Sequence, residues 1–345
     1  MKTKIFFSVT ALAILLLIVA GCERKIVYEN NGGEEFASCF TCHSGDGRLE
    51  QAHGEWANSI HASGTSVDYT NRPGSDCTQC HNHQGFIEFL ETGAVTAPYD
   101  IVSAIHCHTC HAPHETGNLE LRTVEAFTLA DGSEFDHGKA NLCANCHHSR
   151  VGVDDIVDGI IIPSRWGPHH GPQGDLLNGS NGYEMTGYTY GNSNHATIVR
   201  DGCIGCHMGD TLFHEGYNIG GHSVNMVDEE TGDNLSIQCK ACHAGTYSNF
   251  DFAAPSDYDG DGTVEGYQTE MEGMLEELRA LLVTAGLLNG STGLPIPDTI
   301  ADGDLAGALY NWEMIEEDRS LGIHNYEYAR TLIQNSLDYM EDRMQ

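Results

Sequence analysis

Positive charge is scarce in this chain. Sixteen Lys and Arg stand against 50 Asp and Glu, a formal net charge of −34 over 345 residues. So acidic a field repels phosphate and sets nucleic acid aside as a partner, while it draws in basic proteins and cationic or metallic species. Long apolar runs are equally rare. The mainly apolar stretch from Ile5 to Ala20 is 16 residues long, short of the ~20 that a spanning helix needs. Aromatic residues make up 8% of the chain while glycines number 40, so an ordinary side-chain core is expected to be thin. Spare cysteine is missing too. Of 13 cysteines, all but Cys22 fall in one recurring pattern, which leaves no pair for a disulfide framework.

That pattern, CxxCH, occurs six times: Cys39/Cys42/His43, Cys77/Cys80/His81, Cys107/Cys110/His111, Cys143/Cys146/His147, Cys203/Cys206/His207 and Cys239/Cys242/His243. Random order at this composition would give roughly 0.03 copies. Each copy is a c-type haem attachment signature. Two thiols three residues apart can add to the two vinyl groups of one haem, and the next imidazole then lies under the iron as proximal ligand. Zinc or a redox dithiol would explain the CxxC pairs but not a histidine after every second cysteine. The expected cofactors are six covalently bound haem c, with proximal His43, His81, His111, His147, His207 and His243. Stacked macrocycles would supply the apolar body that this polar chain lacks. The expected fold is therefore mainly α with large irregular content and little β, organised around stacked haems, and the haem-free chain is expected to be largely unfolded.

The ends of the chain differ in texture. Lys2 and Lys4 precede the apolar stretch, and Val19-Ala20-Gly21-Cys22 resembles a bacterial lipoprotein box, in which cleavage leaves a lipidated Cys22 as the new N-terminus. An ordinary signal peptide cut nearby is the alternative. Glu23 after Cys22 resembles lipoproteins passed on to the outer membrane, so the expected location is an exported outer-membrane lipoprotein on the periplasmic or cell-surface side, held to the membrane through Cys22. The expected segments are a signal peptide over 1–21, a polar tether over 22–35, a haem-binding region over 36–250, and a calcium loop with C-terminal helices over 251–345. In the last of these, Asp257, Asp259, Asp261, Thr263 and Glu265 resemble the first half of an EF-hand loop, whose alternate oxygens face one hard cation. Position twelve is Gln268, with Glu270 just beyond, and a solvated acidic turn is the other reading. Helical spacing follows in Met271, Met274, Leu275, Leu278, Leu281, Leu282 and Ala285, in Leu305, Ala308, Leu309, Trp312 and Ile315, and in Tyr326, Ala329, Ile333 and Met340, with Asn325 as an N-cap. These stripes are expected to cover the haem array or a neighbouring subunit.

Two segments, Gly167 to Gln173 and Gly322 to Asn325, are more selective than CxxCH itself. Asn141 to His147, Trp166 to Gln173, Cys203 to Met208, and Gly322-Ile323-His324-Asn325 with Tyr328-Ala329 resemble the exported multihaem cytochromes related to ammonia-forming cytochrome c nitrite reductase, over roughly 36 to 345. Those reductases commonly carry the catalytic haem on CxxCK, whereas every motif here ends in His. Resemblance to multihaem cytochromes also implies that His61, in Trp56-x-x-Ser59-x-His61, is a distal ligand, and that His114, in Cys110-His111-Ala112-Pro113-His114, serves a haem adjacent to that of His111. Fourteen histidines remain after the six proximal ones, and six bis-histidine irons need only six of them. Local context adds His170 between Gly167-Pro168 and Gly171-Pro172, His195 ahead of Cys203, His222 after Gly220-Gly221, and His324 before the last helix. The distal candidates are thus His61, His114, His170, His195, His222 and His324, with His53, His106, His108 and His169 in reserve.

Two imidazoles leave an iron no vacant position, which suits electron transfer, and no catalytic residue is assigned. The function expected is electron transfer by a hexahaem cytochrome with mostly bis-histidine haems, in extracytoplasmic or extracellular respiration. Its partners would be other redox proteins or extracellular electron acceptors. One alternative is a reductase of nitrite, hydroxylamine or a sulfur oxyanion, which needs one iron left open. The other is a homo-oligomer in which protomers stack as a conductive filament.

Overall fold

A computed structural model describes residues 43, 45–63, 77–96, 99, 102–112, 114, 118–157, 166–209, 218–244, 248–297 and 302–344. The chain divides into two compact units, Met1–Glu50 and Gln51–Gln345, and every described element from Ile60 onward belongs to the second. The signal peptide, the tether, Cys22, Cys39 and Cys42 lie outside the described residues.

Helix α1 (Gly47–Ala57) is followed by a series of short elements: α2 (Ile60–Ser63), α3 (Cys77–His81), α4 (His83–Thr92), α5 (Cys107–Cys110), α6 (Ala140–Ala144), α7 (Val153–Val157), α8 (Gln173–Asn178), α9 (His195–Ile198) and α10 (Cys203–His207). Two 3₁₀ turns, Gly221–Ser223 and Leu235–Ala241, complete this region. Strands β1 (Phe127–Thr128) and β2 (Glu134–Phe135) pair antiparallel, with Phe127 opposite Phe135, and form the sole sheet among the described residues. The fold is mainly helical with much irregular chain, as expected.

Local chemistry explains why these helices are short. Asn82 caps α4 by accepting from the Gly85 N–H at 2.7 Å, and the helix ends where Gly93 turns left-handed at φ 78°. In α5, His106 Nδ1 accepts from the His108 N–H and Thr109 Oγ1 accepts from the His106 N–H, a reciprocal cap at the start of the turn.

Residues beyond 266 behave differently. Helices α11 (Tyr267–Thr284), α12 (Gly303–Asp318) and α13 (Tyr326–Met344) bury Met271, Met274, Leu278, Leu282, Leu309, Ile315, Leu332 and Ile333 against one another, and Val153, Ile156, Trp166, Leu176 and Met185 join the same cluster. The thin core expected from the glycine content is therefore not what this region builds. Its stripes pack together because three long helices bring their apolar faces into contact, and dispersion and burial then stabilise them as in any bundle. Caps fix their ends. Asp302 accepts from the Asp304 and Leu305 N–H groups, Asn325 accepts from the Tyr328 N–H at 3.3 Å, and Trp312 Nε1 ties α12 to α11 by donating to the Leu275 carbonyl at 3.1 Å. Gly307 lets the Tyr183 ring lie on α12, since a Cβ there would come within 1.9 Å of it. Among the described residues, no helix is long and apolar enough to cross a membrane.

Candidate haem sites

Each CxxCH motif whose cysteines are described sets them one turn apart, and the ten described cysteines are all free thiols. What lies opposite each proximal histidine decides the kind of site. The His147 ring faces His61 with centroids 6.2 Å apart, His81 faces His169 at 6.3 Å, His111 faces His222 at 6.3 Å, His207 faces His324 at 6.2 Å, and His243 faces His195 at 6.1 Å. A metal–imidazole bond of about 2 Å plus about 1.2 Å from nitrogen to ring centre, taken on both sides, requires about 6.4 Å. The five pairs fit two axial ligands of one iron. By contrast, His83 and His106 lie 4.2 Å apart, too close for an ion between them.

The second ring nitrogens support the same geometry. Nδ1 of His147 meets Gln173 Oε1 at 3.3 Å, that of His207 the Val224 carbonyl at 2.9 Å, and that of His111 the Glu120 carbonyl at 3.3 Å. Nδ1 of His195 meets the Ile323 carbonyl at 2.8 Å and that of His324 meets Asp318 Oδ1 at 2.6 Å. A nitrogen facing an acceptor carries the proton and donates, which leaves Nε2 with its lone pair for a metal. Burial, then the charge of His147, lowers His61 to about 4, and burial lowers His81, His147 and His207 as well, so these rings are neutral near pH 7. His324 differs: against its burial, the charge and hydrogen bond of Asp318 raise it.

The elements that aim these rings are readable. Trp56 Nε1 donates to the Ile105 carbonyl at 2.9 Å and Ser59 Oγ donates to the Trp56 carbonyl at 2.7 Å, which turns the chain between α1 and α2 so that His61 reaches His147. His222 is placed by Glu55, whose Oε2 accepts from the His222 N–H at 2.8 Å. Gly221, at φ 50°, lies so near that a Cβ would sit 2.2 Å from the same oxygen.

Of the six distal candidates, His61, His195, His222 and His324 each face a proximal ring. His170 does not. Its Nδ1 lies 2.6 Å from Glu317 Oε2 on an exposed face, and the neighbouring His169 faces His81 instead. The reason is in the backbone: after Gly167 at φ 110°, His169 itself takes a left-handed φ of 71°, an uncommon conformation for a residue with a Cβ. His114 lies 5.8 Å from His108 and does not face His81, His111, His147, His207 or His243. His43 belongs to the N-terminal unit. Sequence reasoning did not single out Gln173, Glu55 or Asp318 as supports. Gln173 lies in one of the selective segments, but nothing in the spacing marks the other two.

No protein-family model matches the chain. It is 24% identical over 313 residues to the C-type polyheme cytochrome OmcC of Geobacter sulfurreducens, covering 77% of this chain and 36% of that protein. OmcB of the same species matches at 24% over 310 residues, covering 77% of this chain and 37% of that protein. Among solved structures, the outer cell wall cytochrome OcwA shares the fold with a TM-score of 0.52 at 19% identity, over 85% of this chain and 50% of that one. The chain resembles the multihaem c-type cytochromes in sequence and shares a multihaem cytochrome fold. It spans little more than a third of the length of these curated relatives.

The candidate attachment cysteines also lie near one another across motifs. Cys80 is a neighbour of Cys146, Cys143 of Cys203, and Cys206 of Cys239 and Cys242. Cys146 Sγ lies 3.9 Å from the Gln79 carbonyl. Burial, then the nearby Cys143 and Cys107, pushes the Cys110 thiol up to about 12.

The acidic loop forms a separate cluster. Carboxylate oxygens of Asp257, Asp259 and Glu270 lie within 4.8 Å of one another, as do those of Asp259, Asp261 and Glu265. Glu270, fully buried, accepts from the N–H groups of Tyr258, Asp259 and Glu265 at 2.6, 3.2 and 2.8 Å. Thr263 donates its N–H to Asp261 Oδ1 at 2.7 Å. Gln268 turns away, its Nε2 donating to the Ser320 carbonyl. Glu270, rather than Gln268, is the side chain turned toward the loop.

Proposed function

We propose that this cytochrome conducts electrons between partners outside the cytoplasm through six covalently held haems c, five of them with two histidine ligands. The observation that carries the reading is the set of five ring pairs at 6.1–6.3 Å, each joining a CxxCH histidine to a second histidine. The residues proposed to hold the irons are His81 with His169, His111 with His222, His147 with His61, His207 with His324, and His243 with His195, while Cys39, Cys42 and His43, the first motif, make the remaining site. Haem iron, when bound, supplies reversible one-electron chemistry. The protein's own part is to close both axial positions against substrate and to set neighbouring sites side by side. The attachment cysteines order them: the second and third motifs border the fourth, the fourth borders the fifth, and the fifth borders the sixth. The Cys143–Cys146 site is the junction.

A net charge of −34 suits basic or metallic redox partners. Attachment to the outer membrane through a lipidated Cys22, on the periplasmic or cell-surface side, completes the reading, and a relative from an outer cell wall is consistent with export. Spectroscopy of the holo-protein tests it. Every iron held by one of the five pairs is expected to be low-spin, with no carbon monoxide bound there after reduction. A high-spin signal from any of those five sites would transfer the proposal to a reductase.

The acidic loop is proposed to hold calcium through Asp257, Asp259, Asp261, Thr263, Glu265 and Glu270, fixing the start of α11. Desolvation, together with the neighbouring carboxylates, raises Asp259 and Glu265, a crowding that a cation would relieve. Titration calorimetry is expected to show calcium bound with a Kd of about 10⁻⁶ to 10⁻³ M, weakened about tenfold in Asp259→Asn. Absence of binding heat would remove the site.

A further inference from the structure

Resting on the ligand pairing proposed above, we infer that Asp318 sets the reduction potential of the fifth site, making the iron held by His207 and His324 harder to reduce. The side chain of Asp318 is fully buried, and its Oδ1 accepts from His324 Nδ1 at 2.6 Å. Its other oxygen accepts from the Ser320 hydroxyl and from the Ser320 N–H at 3.2 Å. Asp318 is also the last residue of α12. An acid there meets the negative end of the helix dipole, and burial adds a desolvation cost, so both effects oppose a carboxylate at this position. Stability does not account for it. The hydrogen bond to His324 does.

Where a Nδ1 acceptor is seen on the other paired rings, it is weaker in charge or in reach. His111, His195 and His207 donate to backbone carbonyls and His147 to an amide oxygen, all neutral. His222 has a carboxylate, Glu55, but at 3.4 Å, and that same oxygen takes its shorter bond, 2.8 Å, from the His222 N–H. A carboxylate that pulls on Nδ1–H gives the imidazole anionic character and makes Nε2 a stronger donor, and a buried negative charge close to iron is poorly screened. Both effects favour the ferric state. The fifth site borders the fourth and the sixth, so a change in its potential bears on electron passage between the C-terminal site and the rest.

The test is a mediated spectroelectrochemical titration of the holo-protein and its variants. His324→Met first examines the ligand pairing by itself: one low-spin haem should lose its bis-histidine signature, and a spectrum with every bis-histidine signal intact would end the pairing and with it the inference. With that change observed, Asp318→Asn is expected to raise the potential of one haem by at least a tenfold change in its reduction equilibrium, 59 mV for one electron, while the others stay in place. Ser320→Ala removes a donor from the carboxylate's other oxygen and should lower the potential of the same haem. Loosened packing would not move one potential in opposite directions in the two variants. If Asp318→Asn fails to mature, Ser320→Ala alone decides. Unmoved potentials, or shifts of the same sign in both variants, overturn the role of Asp318 and leave the pairing intact.

Discussion

Replacing His61 with alanine is expected to convert one low-spin iron to high spin and to admit carbon monoxide at about one additional site per chain. The ring removed stands 6.2 Å from His147, whose own Nδ1 stays held by Gln173, so the proximal side of the site survives while its distal face opens. Trp56 and Ser59, which aim the segment, keep their bonds to the Ile105 and Trp56 carbonyls, and the surrounding turn should hold. Magnetic circular dichroism and a carbon monoxide titration read the result directly. Because the cysteines of this motif border those of three others, stopped-flow reduction should also divide into a fast and a slow phase, as sites on one side of the junction fill before the other. An unchanged spectrum would show that another residue closes this iron.

Leu309→Ala should destabilise the C-terminal helices by about 3 kcal/mol. Leu309 is completely buried on α12, in the cluster that holds Met274, Leu278, Ile315 and Leu332. A cavity there cannot collapse easily, since α12 is fixed on one side by Trp312 bonding to Leu275 and on another by Asn311 bonding to Tyr183 and Ser336. Denaturant titration followed by far-ultraviolet circular dichroism should show the midpoint falling, while the covalent haem content of the purified protein stays the same. Equal stability to the parent would mean that attached haems, not side chains, hold this region together.

The proposed haem attachment residues stand out in the sequence because thioether chemistry demands a fixed local spacing, and the C-terminal helices were legible because their periodicity and caps are local as well. Distal ligands were harder, since a second axial histidine is chosen by tertiary distance. His61 and His324 came with characteristic flanking residues. His169 and His170 are adjacent and share one context, and only the left-handed backbone at His169 separates them. Likewise, counting along the acidic loop pointed to Gln268, but the first turn of α11 carries the chain so that Glu270, two residues on, presents its carboxylate to the loop. The packed core was missed for a different reason. A whole-chain glycine count averages over two textures, and the region beyond 266 has enough Leu, Met and Ile to form an ordinary interior.

The connection between α12 and α13 touches more than one ligand. Ile323 receives the hydrogen bond of His195, the next residue is His324, Asp318 holds His324, and the Glu317 carbonyl receives the amide of Gln173, which in turn steadies His147. One hairpin is therefore a common mounting for residues of three of the proposed haem sites, and their alignment errors are correlated. A strain that shifts this hairpin displaces all three together and leaves their mutual spacing nearly constant, much as lenses on a single rail keep their focus when the rail is moved.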